Sequence, residues 1–148
     1  MSVCGQFLIS AVLIIGDGAG SRRSAEIYDP LTNTSCLLPR LPEDRYYHSQ
    51  DGDLACGGGG TNTAWTSCVK WSPASGTWTQ SHTLRQRRSA HVSWATASGV
   101  YLIGGHLSAR TSEKVKVDGS VEEGFVLKYD TRFDSASEIL ATNSALFF

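Results

Sequence analysis

The stretch Cys56–Asn62, CGGGGTN, poses the question on which the fold turns. Four consecutive glycines directly after a short apolar strand read either as a loop that cradles phosphate or as the end of a strand in a repeated β unit. A P-loop requires G-x-x-x-x-G-K-[ST] between a strand and a helix, so that backbone N–H groups and a lysine meet the phosphates. Here GGGGTNTAW (Gly57–Trp65) supplies no lysine and leads into another strand. The glycine run also has counterparts. Apolar strands ending in glycine recur as LIIGD (Leu13–Asp17), LACGG (Leu54–Gly58) and YLIGG (Tyr101–Gly105).

Further landmarks recur in the same register. SAEIYDP at Ser24–Pro30 returns 43 residues later as SCVKWSP at Ser67–Pro73, and 45 residues after that, more loosely, as SEKVKVDG at Ser112–Gly119. The turns after the first two, DPLTN and SPASG, place Pro where φ must be near −65° and finish on Asn or Gly, which tolerate left-handed backbone. RYYH (Arg45–His48) matches RSAH (Arg88–His91), and Cys36 is expected at the place of Trp78 in the next copy. Such internal similarity at a period near 43 residues is the signature of a repeat architecture.

Composition agrees with an all-β chain. Fifteen glycines, four tryptophans and Val/Ile-rich runs of a few residues favour short strands joined by tight turns. At 148 residues and 41% hydrophobic, the chain can build one domain-sized core. With 13 Lys+Arg against 14 Asp+Glu there is no broad basic face, so no nucleic-acid partner and no anionic membrane surface is expected. The dense basic cluster RQRR (Arg85–Arg88) reads as a solvated turn between strands rather than an anion site. No apolar run reaches the roughly 20 residues of a membrane-crossing helix. The segment FLISAVLIIG (Phe7–Gly16) has the length of a signal-peptide core but lacks a basic segment before it.

Strand, glycine pair, strand, turn, tryptophan-bearing strand and then Arg-x-x-His resembles the kelch repeat. The likeness covers residues 11–130, as repeats at about 11–45, 46–90 and 91–130, with 131–148 a degenerate tail. The middle copy is complete, with Gly57, Gly58, Trp71, Trp78 and Arg88. The first has Gly16-Asp17 at the glycine pair and Arg45 at its end. The third keeps Gly104 and Gly105, with Val117 at the aromatic place. The resemblance implies an incomplete β-propeller of about three four-stranded antiparallel blades, part of a longer ring, since closed propellers use about four to eight blades. Both faces of each blade would be covered, Trp71 and Trp78 would fill the wedge between blades, and Arg45 and Arg88 would tie each incoming segment to a neighbouring carbonyl or carboxylate. Open blade edges at either end invite self-association.

Several residues carry candidate chemistry. Cys36, Cys56 and Cys68 fall in adjacent strands, and a disulfide joins Cys36–Cys56 or Cys56–Cys68, or all remain buried thiols. Asn33 opens the sequon NTS within a turn that would tolerate a glycan. The cysteine-bearing TSC and ACGG stretches look more like extracellular kelch-like proteins of invertebrates than intracellular adaptors, a resemblance that slightly favours an extracellular over a cytoplasmic setting and leaves localisation otherwise open. His48 and His91 stand at equivalent repeat positions and read as architectural; His82 and His106 are the freer pair. No metal-ligand spacing or nucleophile elbow occurs, so no cofactor, no metal and no catalytic residue is assigned. The resemblance therefore implies a non-enzymatic module that binds a protein, or a glycan, through loops carrying Trp65, Tyr46, Tyr47, Arg85 and Arg87. The alternative is a fragment of a galactose-oxidase-like copper enzyme, a family that shares the propeller and uses tyrosine, histidine and a thioether-linked cysteine at the metal.

Overall fold

A computed structural model describes residues 11–16, 22–59 and 65–130. Among them the chain is all-β, with eleven strands in three antiparallel sheets. The first sheet is β1 (Val12–Ile15), β2 (Ala25–Asp29) and β3 (Thr34–Leu37). The second is β4 (Ser49–Asp51), β5 (Leu54–Cys56), β6 (Trp65–Ser72) and β7 (Thr77–Arg88). The third is β8 (Val92–Thr96), β9 (Gly99–Ile103), β10 (Thr111–Lys116) and β11 (Val121–Val126). Strands pair in chain order within every sheet, giving three successive blade-like meanders, an arrangement compatible with an incomplete propeller. Two sheets have the expected four strands. The first has three among the described residues, because the place equivalent to β4 and β8 precedes β1 in the chain.

The period of two along a strand explains why the middle sheet is apolar on both sides. Ala55 and Val69 pack with Leu13, Ile15, Leu41 and Trp78, and Trp71 packs with Ala25, Leu38 and Ile27. These residues join the first sheet to the second. Cys56, Cys68 and Leu84 turn the other way and pack with Val100, Leu102 and Val115 of the third sheet. Burying each large side chain contributes about 1.5–3 kcal/mol.

The turns follow their sequence chemistry. After β2, Asp29 accepts the Leu31 N–H at 2.9 Å and the Thr32 hydroxyl at 3.0 Å, and Asn33 takes φ 54°. After β6, Gly76 takes φ 65° and donates to the Ser72 carbonyl.

Three sequence readings require correction. RQRR is no turn: Arg85–Arg88 is the end of the long strand β7, held there because Glu113 of β10 accepts the Arg85 and Gln86 N–H groups at 2.6 and 3.1 Å. In the third repeat the aromatic place lies two residues earlier than Val117. Cys56 faces Cys68 and Ile103 faces Ser112 in the same ladder position, so Val115, buried, takes the place of Trp71, and Val117 is an exposed turn residue. In the first sheet Tyr28 faces Ser35 as Trp71 faces Trp78, so Ser35 and not Cys36 stands at the tryptophan's place. Ladder pairing sets these equivalences, and the one-residue slip between Cys36 and Ser35 turns the side chain to the opposite face.

Candidate functional site

The glycine run lies where consecutive sheets approach closely. Gly57 has φ 63°, and a Cβ there would sit 2.6 Å from the Arg88 carbonyl oxygen and 2.8 Å from the His91 ring. Gly58 has φ 91° and would place a Cβ 2.9 Å from both the Tyr46 carbonyl oxygen and the His48 Cβ. Only glycine meets both demands. The pair Gly104 and Gly105 takes matching φ values of 67° and 92° in the third sheet. The N–H groups here bind protein rather than phosphate: Gly58 donates to the Arg88 carbonyl and Gly59 to the Tyr46 carbonyl, each at 2.8 Å.

Arg45 and Arg88 are fully buried and make the same fork into the sheet that follows. Arg45 Nη1 donates to the carbonyls of Gly57 and Ser67 at 2.6 and 2.9 Å, and Nη2 to the Ser67 hydroxyl at 2.6 Å. Arg88 Nη1 donates to the carbonyls of Gly104 and Thr111 at 2.9 and 2.8 Å, and Nη2 to the Thr111 hydroxyl at 2.8 Å. Their acid partners differ. Arg88 Nε donates to Glu113, 1% exposed, at 2.9 Å, whereas Arg45 pairs at 3.0 Å with Glu43, which keeps contact with solvent. Glu113 and Glu43 carry no repeat signal, since Val69 holds the place of Glu113 in the middle sheet; sequence reasoning passed over both.

His48 and His91 are built into the same junctions. Burial, followed by the Arg45 charge, pushes His48 down to about 4. Burial, followed by Arg88 and His48, pushes His91 down to about 3. Both rings are therefore neutral at physiological pH. His91 Nε2 lies 2.8 Å from the Ser49 hydroxyl of the previous sheet. His82 Nδ1 meets the Ser81 hydroxyl at 2.6 Å, and His106 is bridged to Ser89 across the backbone. Neither pair is positioned as an acid–base couple.

The expected binding residues separate into two groups. Trp65 is partly exposed, its indole N–H donates to the Asp44 carbonyl at 3.0 Å, and its backbone N–H donates to the Gly58 carbonyl. Tyr46 and Tyr47 form a tilted ring pair with centroids 5.2 Å apart, and the Arg22 guanidinium lies 4.4 Å above the Tyr46 ring. Tyr47 is 56% exposed. None of these three rings enters an apolar core. Arg85 belongs elsewhere. It pairs with Glu123 at 3.2 Å across an open polar cleft between the second and third sheets, also lined by Gln86, Thr111, Glu113 and Phe125. Arg87 is exposed on β7, and its carbonyl accepts the Ser108 hydroxyl.

Cys56 and Cys68, facing each other across β5 and β6, form a disulfide, and both are buried in the core between the second and third sheets. Cys36 is not part of that bond and is itself disulfide-bonded. The described cysteines therefore offer no thiol for a thioether link of the copper-enzyme type. Among the described residues no three His, Cys, Asp or Glu side chains come together as a metal site. No described helix is long and apolar enough to cross a membrane. Asn33 is exposed at its turn, with the Tyr28 hydroxyl donating to its side-chain oxygen at 3.0 Å. No protein-family model matches the chain, and no curated protein matches it.

Proposed function

We propose that this chain is a non-enzymatic segment of a kelch-type β-propeller and binds another protein through the surface that carries Tyr46, Tyr47 and Trp65. Support for the repeat comes from the paired arginine forks, glycine pairs and buried histidines at successive sheet junctions. The observation that carries the binding reading is that three large rings and the Arg22 guanidinium gather at one junction without entering any apolar core. Aromatic and arginine side chains of this kind, rigid and partly desolvated, are the usual energetic anchors of protein interfaces. The buried disulfide suits an oxidising compartment.

The test is affinity capture from the source's own extract or culture fluid with the unaltered chain and with Tyr47→Ala and Trp65→Ala. A protein retained by the first and lost with either variant, at unchanged melting temperature, supports the proposal. Retention by all three moves the binding surface to the Arg85 cleft. Glycan-array binding in place of protein capture would replace the protein partner with a sugar.

A further inference from the structure

Only one of the three asparagines opens an N-x-[ST] triplet: Asn33, in NTS at Asn33–Ser35. Asn62 and Asn143 are each followed two places later by alanine. A triplet needs just three residues, so placement decides whether a sugar can be carried there. Asn33 closes the tight turn between β2 and β3 with its φ of 54°, and Asp29 anchors that turn from within through the Leu31 N–H and the Thr32 hydroxyl. Asn33, Thr34 and Ser35 are all exposed, and none belongs to an apolar core. β3 is also the outer strand of its sheet, so no strand among the described residues pairs along its far side.

The side-chain contacts fit the same use. The Tyr28 hydroxyl donates to Asn33 Oδ1 at 3.0 Å, and Tyr28 faces Ser35 in the ladder. The carboxamide is thus held by its oxygen, which leaves Nδ2, the atom that takes a sugar, outside that contact. A second, independent observation concerns the compartment. Cys56 and Cys68 form a buried disulfide, and Cys36, in the strand that follows Asn33, is disulfide-bonded as well. Disulfides form and persist in the oxidising secretory route, which is also where asparagine receives sugar.

The turn stands clear of the surface proposed to bind protein. Arg22, whose guanidinium lies on the Tyr46 ring and whose carbonyl accepts the Arg45 N–H, comes before β2, and Asn33 comes after it. The five residues of β2 set the two apart by roughly 16 Å of strand.

We propose that Asn33 is an N-glycosylation site and carries one oligosaccharide at the outer turn of the first sheet. In the transfer, Nδ2 attacks the anomeric carbon of a lipid-diphosphate-linked oligosaccharide. The bond from Nδ2 to that carbon forms and the bond from the carbon to the diphosphate oxygen breaks. The lipid diphosphate departs with the bonding pair, and one Nδ2 proton passes to a basic group of the transferase. No oxidant or reductant takes part. This inference is independent of what the loops bind.

Peptide mass spectrometry of the full chain purified from its source, before and after treatment with peptide N-glycosidase, tests it. The expected result is a glycan on the tryptic peptide Ser24–Arg40, with Asn33 converted to aspartate once the enzyme has removed the sugar. In a eukaryotic secretory host the unaltered chain shows the same enzyme-sensitive shift on gels. Asn33→Gln and Ser35→Ala each abolish that shift, and Thr34→Ala retains it. A melting temperature close to that of the enzyme-treated parent shows that both variants are folded. Unmodified Asn33 in either preparation overturns the inference. So does a shift that survives Asn33→Gln, which would place the sugar on another side chain.

Discussion

Arg45 and Arg88 reach into the following sheet by the same fork, yet the two seams are held by different chemistry. At the seam between the first and second sheets, Trp71 and Trp78 pack 5.2 Å apart against aliphatic residues, and Arg45 shares its charge with a solvent-touched Glu43. At the seam between the second and third, no tryptophan takes part. A disulfide and small aliphatics make the core, and Arg88 is locked to a buried Glu113 that also caps two backbone N–H groups. The repeat specifies the fork to backbone carbonyls; the acid beside it is private to each seam. Burial lowers the basicity of both arginines, opposed by Glu43 in one case and Glu113 in the other.

The largest effect should come from splitting the buried pair. Glu113→Ala strands the Arg88 charge and two N–H groups, and is expected to cost about 3–5 kcal/mol in urea denaturation. Glu43→Ala, at a partly exposed acid that also accepts the Ser67 hydroxyl, should cost less, about 1–2 kcal/mol. Equal losses would erase the distinction between the seams. Next comes the disulfide: Cys56→Ala with Cys68→Ala should cost about 2–4 kcal/mol, and adding reductant to that double variant should change nothing further. Glycine comes third. Gly57→Ala must displace the Arg88 carbonyl and the His91 ring, a loss above about 2 kcal/mol, whereas Gly76→Ala, with open space around it, should lose only about 1 kcal/mol from its left-handed backbone.

Acid should probe both seams together. His48 and His91 are depressed in the folded state below the ordinary 6.5, so the unfolded chain takes up protons first and stability falls as pH falls from 6.5 toward about 4. Lowering pH from 6.5 to 5.5 should cost about 2 kcal/mol in total, roughly half of it removed by His91→Asn in a thermal melt. The smallest change is Trp65→Ala, which gives up one hydrogen bond outside the cores and should cost about 1 kcal/mol or less. A large loss there would transfer Trp65 from the binding surface to the core.

Much of this architecture was legible because close backbone approach leaves no choice of residue. Gly57, Gly58, Gly104 and Gly105 sit where a Cβ would collide or a left-handed φ is required, and Arg45 and Arg88 recur because each sheet presents the same carbonyls. Register was less legible. Val117 and Cys36 looked equivalent to Trp71 and Trp78 by spacing, but the ladders count pairs, and they assign those places to Val115 and Ser35. Glu113 was invisible because its meaning depends on a strand end 25 residues earlier in the chain, with no counterpart in the middle copy. The aromatic group split for a related reason: Trp65, Tyr46 and Tyr47 meet only through the loops that the glycine run draws together, while Arg85 is carried away by the length of β7.

The forks point in one direction along the chain. Each arginine finds its carbonyl acceptors in the sheet that follows. During synthesis from the N-terminus, each arginine therefore waits for its carbonyl fork until Ser67 or Thr111 has emerged some two dozen residues later. Ribosomal order thus matches assembly order: the fork of each arginine is completed by the sheet synthesised after it.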